Sequence, residues 1–298
     1  MERVASATDA AREARFAAVS ANDHFMFSTP WLDGPIALAS MVERSGDMEL
    51  ATTIALSALR GPLPLAKALA ALDVLSGGRV VAGLGPGSSQ RDYDVMDVDF
   101  EQRWARFDES VEALRALLGD RPLGERGPHF PLPDELPRPG PVREGGIPLW
   151  IGSWGSEAGL RRVAKLADGW LASAYNTTVE RFAAARDRLG EELRRRGRED
   201  DPFPCALATM WTWVSEDASE VQALRDEMLA PLLRRDPAEL APNLCIGSAE
   251  HCAEVLSSYA RAGCDRVYLW LLGDERRQIE RIAADVAPLI ASAGEAQA

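Results

Sequence analysis

Residues 53–87, TIALSALRGPLPLAKALAALDVLSGGRVVAGLGPG, decide the fold of this chain. The segment reads as the end of a β-strand, a loop opened by Arg60-Gly61-Pro62, a helix, a stop at Gly77-Gly78 and a second strand beginning at Arg79. Leu65, Ala66, Leu69, Leu72 and Leu75 recur at helical spacing. Val80, Val81 and Ala82 form a short apolar run suited to a strand buried on both faces. A strand, a crossover helix and a parallel strand make a βαβ unit. Gly83-Leu84-Gly85-Pro86-Gly87 closes the stretch, and glycines at such a strand end let backbone approach a ligand.

The same alternation extends in both directions. Strands are expected at 16–25, 48–56, 147–154, 168–175, 205–214 and 265–272, in addition to the one at 79–83. Helices are expected at 2–15, 35–46, 103–118, 156–166, 177–196, 218–234, 249–262 and 276–291, with Ser156 and Thr177 as N-caps. Strands that alternate with helices imply an α/β protein with a parallel sheet. A (β/α)8 barrel has eight strands and this reading finds seven, so either the first strand is missing from the N-terminus or the barrel closes imperfectly. Residues 121–146 carry seven prolines and little periodicity, which marks an insertion loop and a candidate lid. There is no short-period repeat or second composition regime, so a single domain over 1–298 is expected.

Composition narrows the function. The net charge of −13 argues against a nucleic-acid surface, and Lys67 and Lys165 are the only lysines among the 33 basic residues. That arginine excess reads as coding bias, not as a basic patch. No apolar run reaches membrane-spanning length, and the start is a polar, Ala-rich helix unlike a signal peptide. The expected location is cytoplasmic. Cys205, Cys245, Cys252 and Cys264 lack metal or redox spacing, so they are expected to be reduced structural thiols with no metal site.

The central stretch, with ANDHF before it and IPLWIGSWGSEAGLRRVAKLADGW after it, resembles the bacterial luciferase-like superfamily. The resemblance runs from about residue 16 to 290, and LDVLSGGR is its most specific part. It implies a luciferase-like TIM barrel that binds FMN or the deazaflavin coenzyme F420 at the C-terminal ends of its strands. It also implies a small-molecule substrate, and as partners a second copy of the chain or a reductase supplying reduced flavin.

Site candidates follow from both readings. Asp23 and His24 stand at a strand's C-terminal end, where barrel enzymes place their chemistry, and His suits proton transfer near neutral pH. By resemblance a histidine matching His24 lies close to the ring; the plainer alternative is a His packed at the barrel mouth. Thr53 and Ile54 match a position where some relatives carry a bulge or a non-prolyl cis peptide behind the ring; the plainer alternative is an ordinary strand end with one buried Thr hydroxyl. Gly85, Gly87 and Ser88 form a loop against which the ring would lie. Pro86 and Ser88 occupy the places where relatives carry a phosphate-binding arginine or a glutamate, which puts a luciferase-like phosphate clamp and a glucose-6-phosphate-type mechanism in doubt. Gly152, Ser153, Trp154, Gly155 and Ser156 join a strand to a helix N-terminus suited to a phosphate, with Arg161 or Arg162 supplying charge. His129 and His251 read as solvated. The resulting expectation is an oxidoreductase that moves a hydride or activates oxygen; a flavin-binding barrel without turnover is the competing class.

Overall fold

The computed structural model describes residues 2–27, 30–119, 127–132, 140–233 and 235–290. Eight strands are present among them: β1 (Ala18–Ala21), β2 (Glu49–Leu56), β3 (Val80–Gly85), β4 (Leu149–Gly152), β5 (Gly169–Ser173), β6 (Cys205–Val214), β7 (Cys245–Gly247) and β8 (Arg266–Leu271). The seven expected strands are all there. The additional one, β7, has only three residues, too few to show a period. It pairs with β6 at Thr212↔Cys245, so it supplies no strand ahead of the first helix, Glu2–Glu13. No helix among the described residues is long and apolar enough to cross a membrane.

The chain divides into two compact units. The first comprises Phe16–Gly152 and Arg162–Trp170. In it β1, β2, β3 and β4 lie side by side in chain order, each pair parallel. The helix Pro62–Ser76 follows Gly61 with proline in its first turn, where a missing N–H costs nothing. It stops at Gly77, whose φ of 68° is the left-handed conformation that glycine adopts without strain. Leu65, Ala66, Leu69, Leu72 and Asp73 face the core, but Leu75 is 64% exposed. At about 100° per residue, Leu75 points roughly 120° away from the centre of that stripe, so the expected apolar face is corrected at this position. All six residues of β3 are buried, as a strand covered on both faces requires.

Two carboxylates fix how the insertion leaves and returns. Glu109 accepts hydrogen bonds from the backbone N–H of His129 (3.0 Å) and Phe130 (2.6 Å). Asp73, fully buried, accepts from Val142 (2.8 Å) and Arg143 (3.1 Å) just before β4. Residues 121–126 and 133–139 of the proline-rich stretch lie outside the described residues. Arg79, the last residue of LDVLSGGR, bonds Ser76 O (2.7 Å) and Met48 O, tying the starts of β2 and β3 together.

The second unit comprises Met1–Arg15, Ser153–Arg161 and Leu171–Ala298. Here β6 runs between β7 and β8, parallel to both. The N-terminal helix is held by Arg3, which bonds Glu275 (2.5 Å) and Gly273 O (3.0 Å). Thr178, not Thr177, caps the helix Val179–Arg194, with its hydroxyl 3.3 Å from Arg181 N. Trp211 and Trp270 meet edge to face at 4.9 Å. The four cysteines are unpaired, and burial pushes the Cys205 thiol up to about 12 and Cys264 up to about 11, which keeps both inert.

Candidate active site at the strand ends

The chain leaves β1 through Asp23 and His24, and the two side chains meet different partners. Asp23 is 3% exposed and binds Arg60 in a two-pronged pair, Nε to Oδ2 at 2.5 Å and Nη2 to Oδ1 at 2.7 Å. Its oxygens also accept from Leu56 N (3.3 Å) and Gly34 N (3.5 Å). Arg60 reaches Asp33 Oδ2 at 2.5 Å as well. Burial opposes the charge on Arg60, but its hydrogen bonds and attraction to Asp23, and then to Asp33, outweigh that and raise its pKa. Asp23 thus has every oxygen engaged and locks the end of β1 to the segment after β2.

His24 Nδ1 lies 2.9 Å from Asp92 Oδ2. Asp92 belongs to the helix Gln90–Val95, is 1% exposed, and through Oδ1 also accepts the N–H groups of Phe25 (2.9 Å) and Met26 (2.6 Å). Burial is the largest influence on this carboxyl and pushes its pKa up. The hydrogen bonds from His24, Met26 and Phe25 and the attraction to His24 together outweigh it and hold the pKa below the usual carboxylate value. The His24 ring lies 4.8 Å from Phe27 and edge-on to Trp31 at 5.9 Å. Its Nε2 has no hydrogen bond among the described residues. Sequence reasoning missed Asp92, which sits 68 positions from its partner, between the expected strand at 79–83 and the expected helix at 103–118.

Between β2 and β3 the register slips between Thr52 and Ala55, and the Thr53–Ile54 peptide is cis, so of the two readings at this position the irregular one holds. Ile54 is half-buried at the end of β2. A Cβ added to Gly85 would fall 2.1 Å from Ile54 Cδ1, and one on Gly152 would lie 3.3 Å from its Cγ2. The open sides of these glycines are therefore filled by Ile54, and that of Gly87 by Leu56, which a Cβ there would meet at 2.8 Å. The side of each glycine where a Cβ would stand is thus occupied by a side chain of β2. Ser88 is exposed. Thr53 Oγ1 is buried without a hydrogen-bond partner. Phe25 and Ile54 pack against one cluster of Leu56, Leu59 and Tyr93, so the end of β1 and the bulge of β2 share a foundation.

The remaining candidates after Gly152 lie in the second unit and are described on their own. Ser153 Oγ accepts from Gly155 N at 3.3 Å, and Ser156 Oγ caps the following helix through Gly159 N at 3.2 Å, as expected. Both hydroxyls converge on Gly159, whose added Cβ would meet them at 2.3 and 3.0 Å. Trp154 is exposed. Arg161 is paired with Glu157 (3.7 Å), one helical turn away. Arg162, in the first unit, is gripped by Asp108 and lies over Trp104 at 4.5 Å. Both arginines are thus paired with carboxylates. Arg188 donates to Gly155 O at 3.4 Å, and no sequence spacing pointed to it.

Comparison with known proteins agrees with this architecture. A model of the luciferase-like monooxygenase family matches residues 2–243, and the chain belongs to that family. It is 25% identical over 302 residues to an F420-dependent glucose-6-phosphate dehydrogenase of Kineococcus radiotolerans, covering 90% of this chain and 87% of that one. Matches to uncharacterized proteins of Mycobacterium tuberculosis at 29% identity span 57% of this chain and 58% of theirs. In fold it is similar to the monooxygenase RslO1 from Streptomyces bottropensis (TM-score 0.81, 19% identity, 96% and 92% of the two chains). It is also similar to an F420-dependent secondary alcohol dehydrogenase solved with an F420–acetone adduct (TM-score 0.83, 19% identity, 96% and 94%). The fold is thus that of the luciferase-like α/β barrels.

Proposed function

We propose that the chain is a cytoplasmic oxidoreductase that binds F420 or FMN and acts on a small organic substrate, with His24 carrying the proton. The observation that carries this reading is the His24–Asp92 pair, whose Nε2 has no hydrogen bond among the described residues. The residues present fit a flavin-type ring. Ile54, set over Gly85 and Gly152, offers an apolar shelf, and the unpartnered Thr53 hydroxyl offers a hydrogen bond that burial otherwise leaves unmade. F420 supplies two-electron hydride transfer when bound, and reduced FMN supplies oxygen activation.

The protein's own part is to bind, orient and move one proton. His24 Nε2 gives or takes a proton at the substrate oxygen. Asp23, held by Arg60, fixes the strand end and is a positioning residue. Gly87 and Ser88 border the shelf. In the second unit the turn Ser153-Trp154-Gly155-Ser156, with Arg188, suits a phosphate. The F420 reading is supported by the F420-dependent relative and by the fold neighbour that holds an F420 adduct. The FMN reading is supported by the family's own description and by the likeness to RslO1, and it carries as partner a reductase or a second copy of the chain.

Fluorescence titration with F420 and with FMN tests the proposal. Micromolar or tighter binding of one of them is expected, and flat curves for both refute it. In the loaded enzyme, His24→Ala should keep binding within about threefold and lower turnover by roughly 10²–10⁴-fold. Unchanged turnover removes His24 from the chemistry.

A further inference from the structure

Resting on that functional reading, we infer that Asp92 is the positioning residue of the proton step: it holds the His24 proton on Nδ1 and so leaves Nε2 as the atom that meets substrate. An ionised carboxylate only accepts hydrogen bonds, so the proton between His24 Nδ1 and Asp92 Oδ2 (2.9 Å) belongs to the ring. The tautomer is thereby set, with the lone pair of the neutral imidazole on Nε2. When Nε2 takes a proton, the resulting imidazolium faces a buried anion that stabilises it.

The carboxylate has no freedom to do otherwise. Its second oxygen is taken by Phe25 N (2.9 Å) and Met26 N (2.6 Å), so one side chain fixes both the ring and the two peptide groups that follow it. Phe27 and Trp31 flank the ring at 4.8 and 5.9 Å and restrict its rotation. Asp23, adjacent in sequence, is committed to Arg60 and does not compete for Nδ1. The result is a carboxylate–imidazole pair assembled from the end of β1 and the short helix after β3.

The test reads the ring directly. In uniformly ¹⁵N-labelled full-length protein without cofactor, long-range ¹H–¹⁵N correlation distinguishes protonated from unprotonated ring nitrogens. The chain has three histidines, and the His24 signals are identified by their loss in His24→Gln. Neutral wild-type His24 should carry its proton on Nδ1. In Asp92→Asn the amide oxygen still serves Phe25 and Met26 while the NH₂ donates to Nδ1, so the proton should move to Nε2. Loaded enzyme carrying Asp92→Asn should lose roughly 10²–10⁴-fold in kcat with KM within about threefold.

A neutral wild-type ring protonated on Nε2 overturns the inference, and that measurement stands even if Asp92→Asn fails to fold. A tautomer that does not change in Asp92→Asn overturns it too. Reversal of the tautomer in a protein that never turns over with either cofactor supports the pair and refutes the functional reading. Turnover lost in His24→Ala but intact in Asp92→Asn refutes the positioning role and leaves the function standing.

Discussion

Replacing Arg60 with methionine should be among the most destabilising single changes in the first unit. The substitution keeps an apolar stem of similar length but leaves the Asp23 carboxylate, 3% exposed, with only the N–H groups of Leu56 at 3.3 Å and Gly34 at 3.5 Å. Breaking a buried ion pair from one side costs about 3–5 kcal/mol, because the remaining charge is desolvated and uncompensated. The Asp33 arm adds little: Asp33 is partly exposed, and pairs of that kind contribute about 0–1 kcal/mol. Asp33→Asn should therefore cost no more than about 1 kcal/mol, since asparagine also caps the next helix through Ile36 N. The decisive variant combines Arg60→Met with Asp23→Asn. It removes the stranded charge and keeps an acceptor for Leu56 and Gly34, so it should recover at least about half of the loss. Urea denaturation at pH 7, followed by far-UV circular dichroism, reads all of these. An Arg60→Met protein within about 1 kcal/mol of wild type, or a double variant no more stable than the single, refutes the reasoning.

Three further outcomes are expected. Asp92 has a depressed folded-state pKa, so its stabilisation is complete above the unfolded carboxyl value of about 3.9 and fades as pH falls through the folded one. The stability gap between wild type and Asp92→Asn should accordingly be open at pH 7 and close below about pH 4, and a gap independent of pH would contradict this. Gly85→Ala should push Ile54 off its seat and weaken F420 or FMN binding about tenfold, a loss of roughly 1.4 kcal/mol, and Ile54→Val in the same protein should restore part of it. No recovery in the double variant would show that Gly85 acts otherwise. Arg188→Ala should weaken FMN more than riboflavin in parallel titrations, whereas equal losses would remove its phosphate role.

Much of the scaffold was legible in the chain because burial repeats. The run Val80–Ala82 reads as a covered strand, and Leu65, Ala66 and Leu69 read as its crossover helix, since both periods are written in side-chain polarity. Leu75 misled because an apolar residue on the outer face costs little and is common. β7 was not readable, since three residues carry no period. The Thr53–Ile54 irregularity came from resemblance, because a cis bond without proline leaves no mark in composition. Asp92 and Arg188 were hidden for another reason. Each acts on a residue far away in sequence, and an acid or an arginine on a polar helix looks like any solvated charge until the fold brings its partner to it. Arg162 shows the converse, a plausible donor that Asp108 had already claimed.

The carboxylates of Glu109 and Asp73 grip the chain at 129–130 and again at 142–143. Asp73 belongs to the helix Pro62–Ser76, so the approach to β4 is pinned to the crossover helix that precedes β3. A substitution that removes the Asp73 carboxylate would free 142–143 from that helix and loosen the entry to β4.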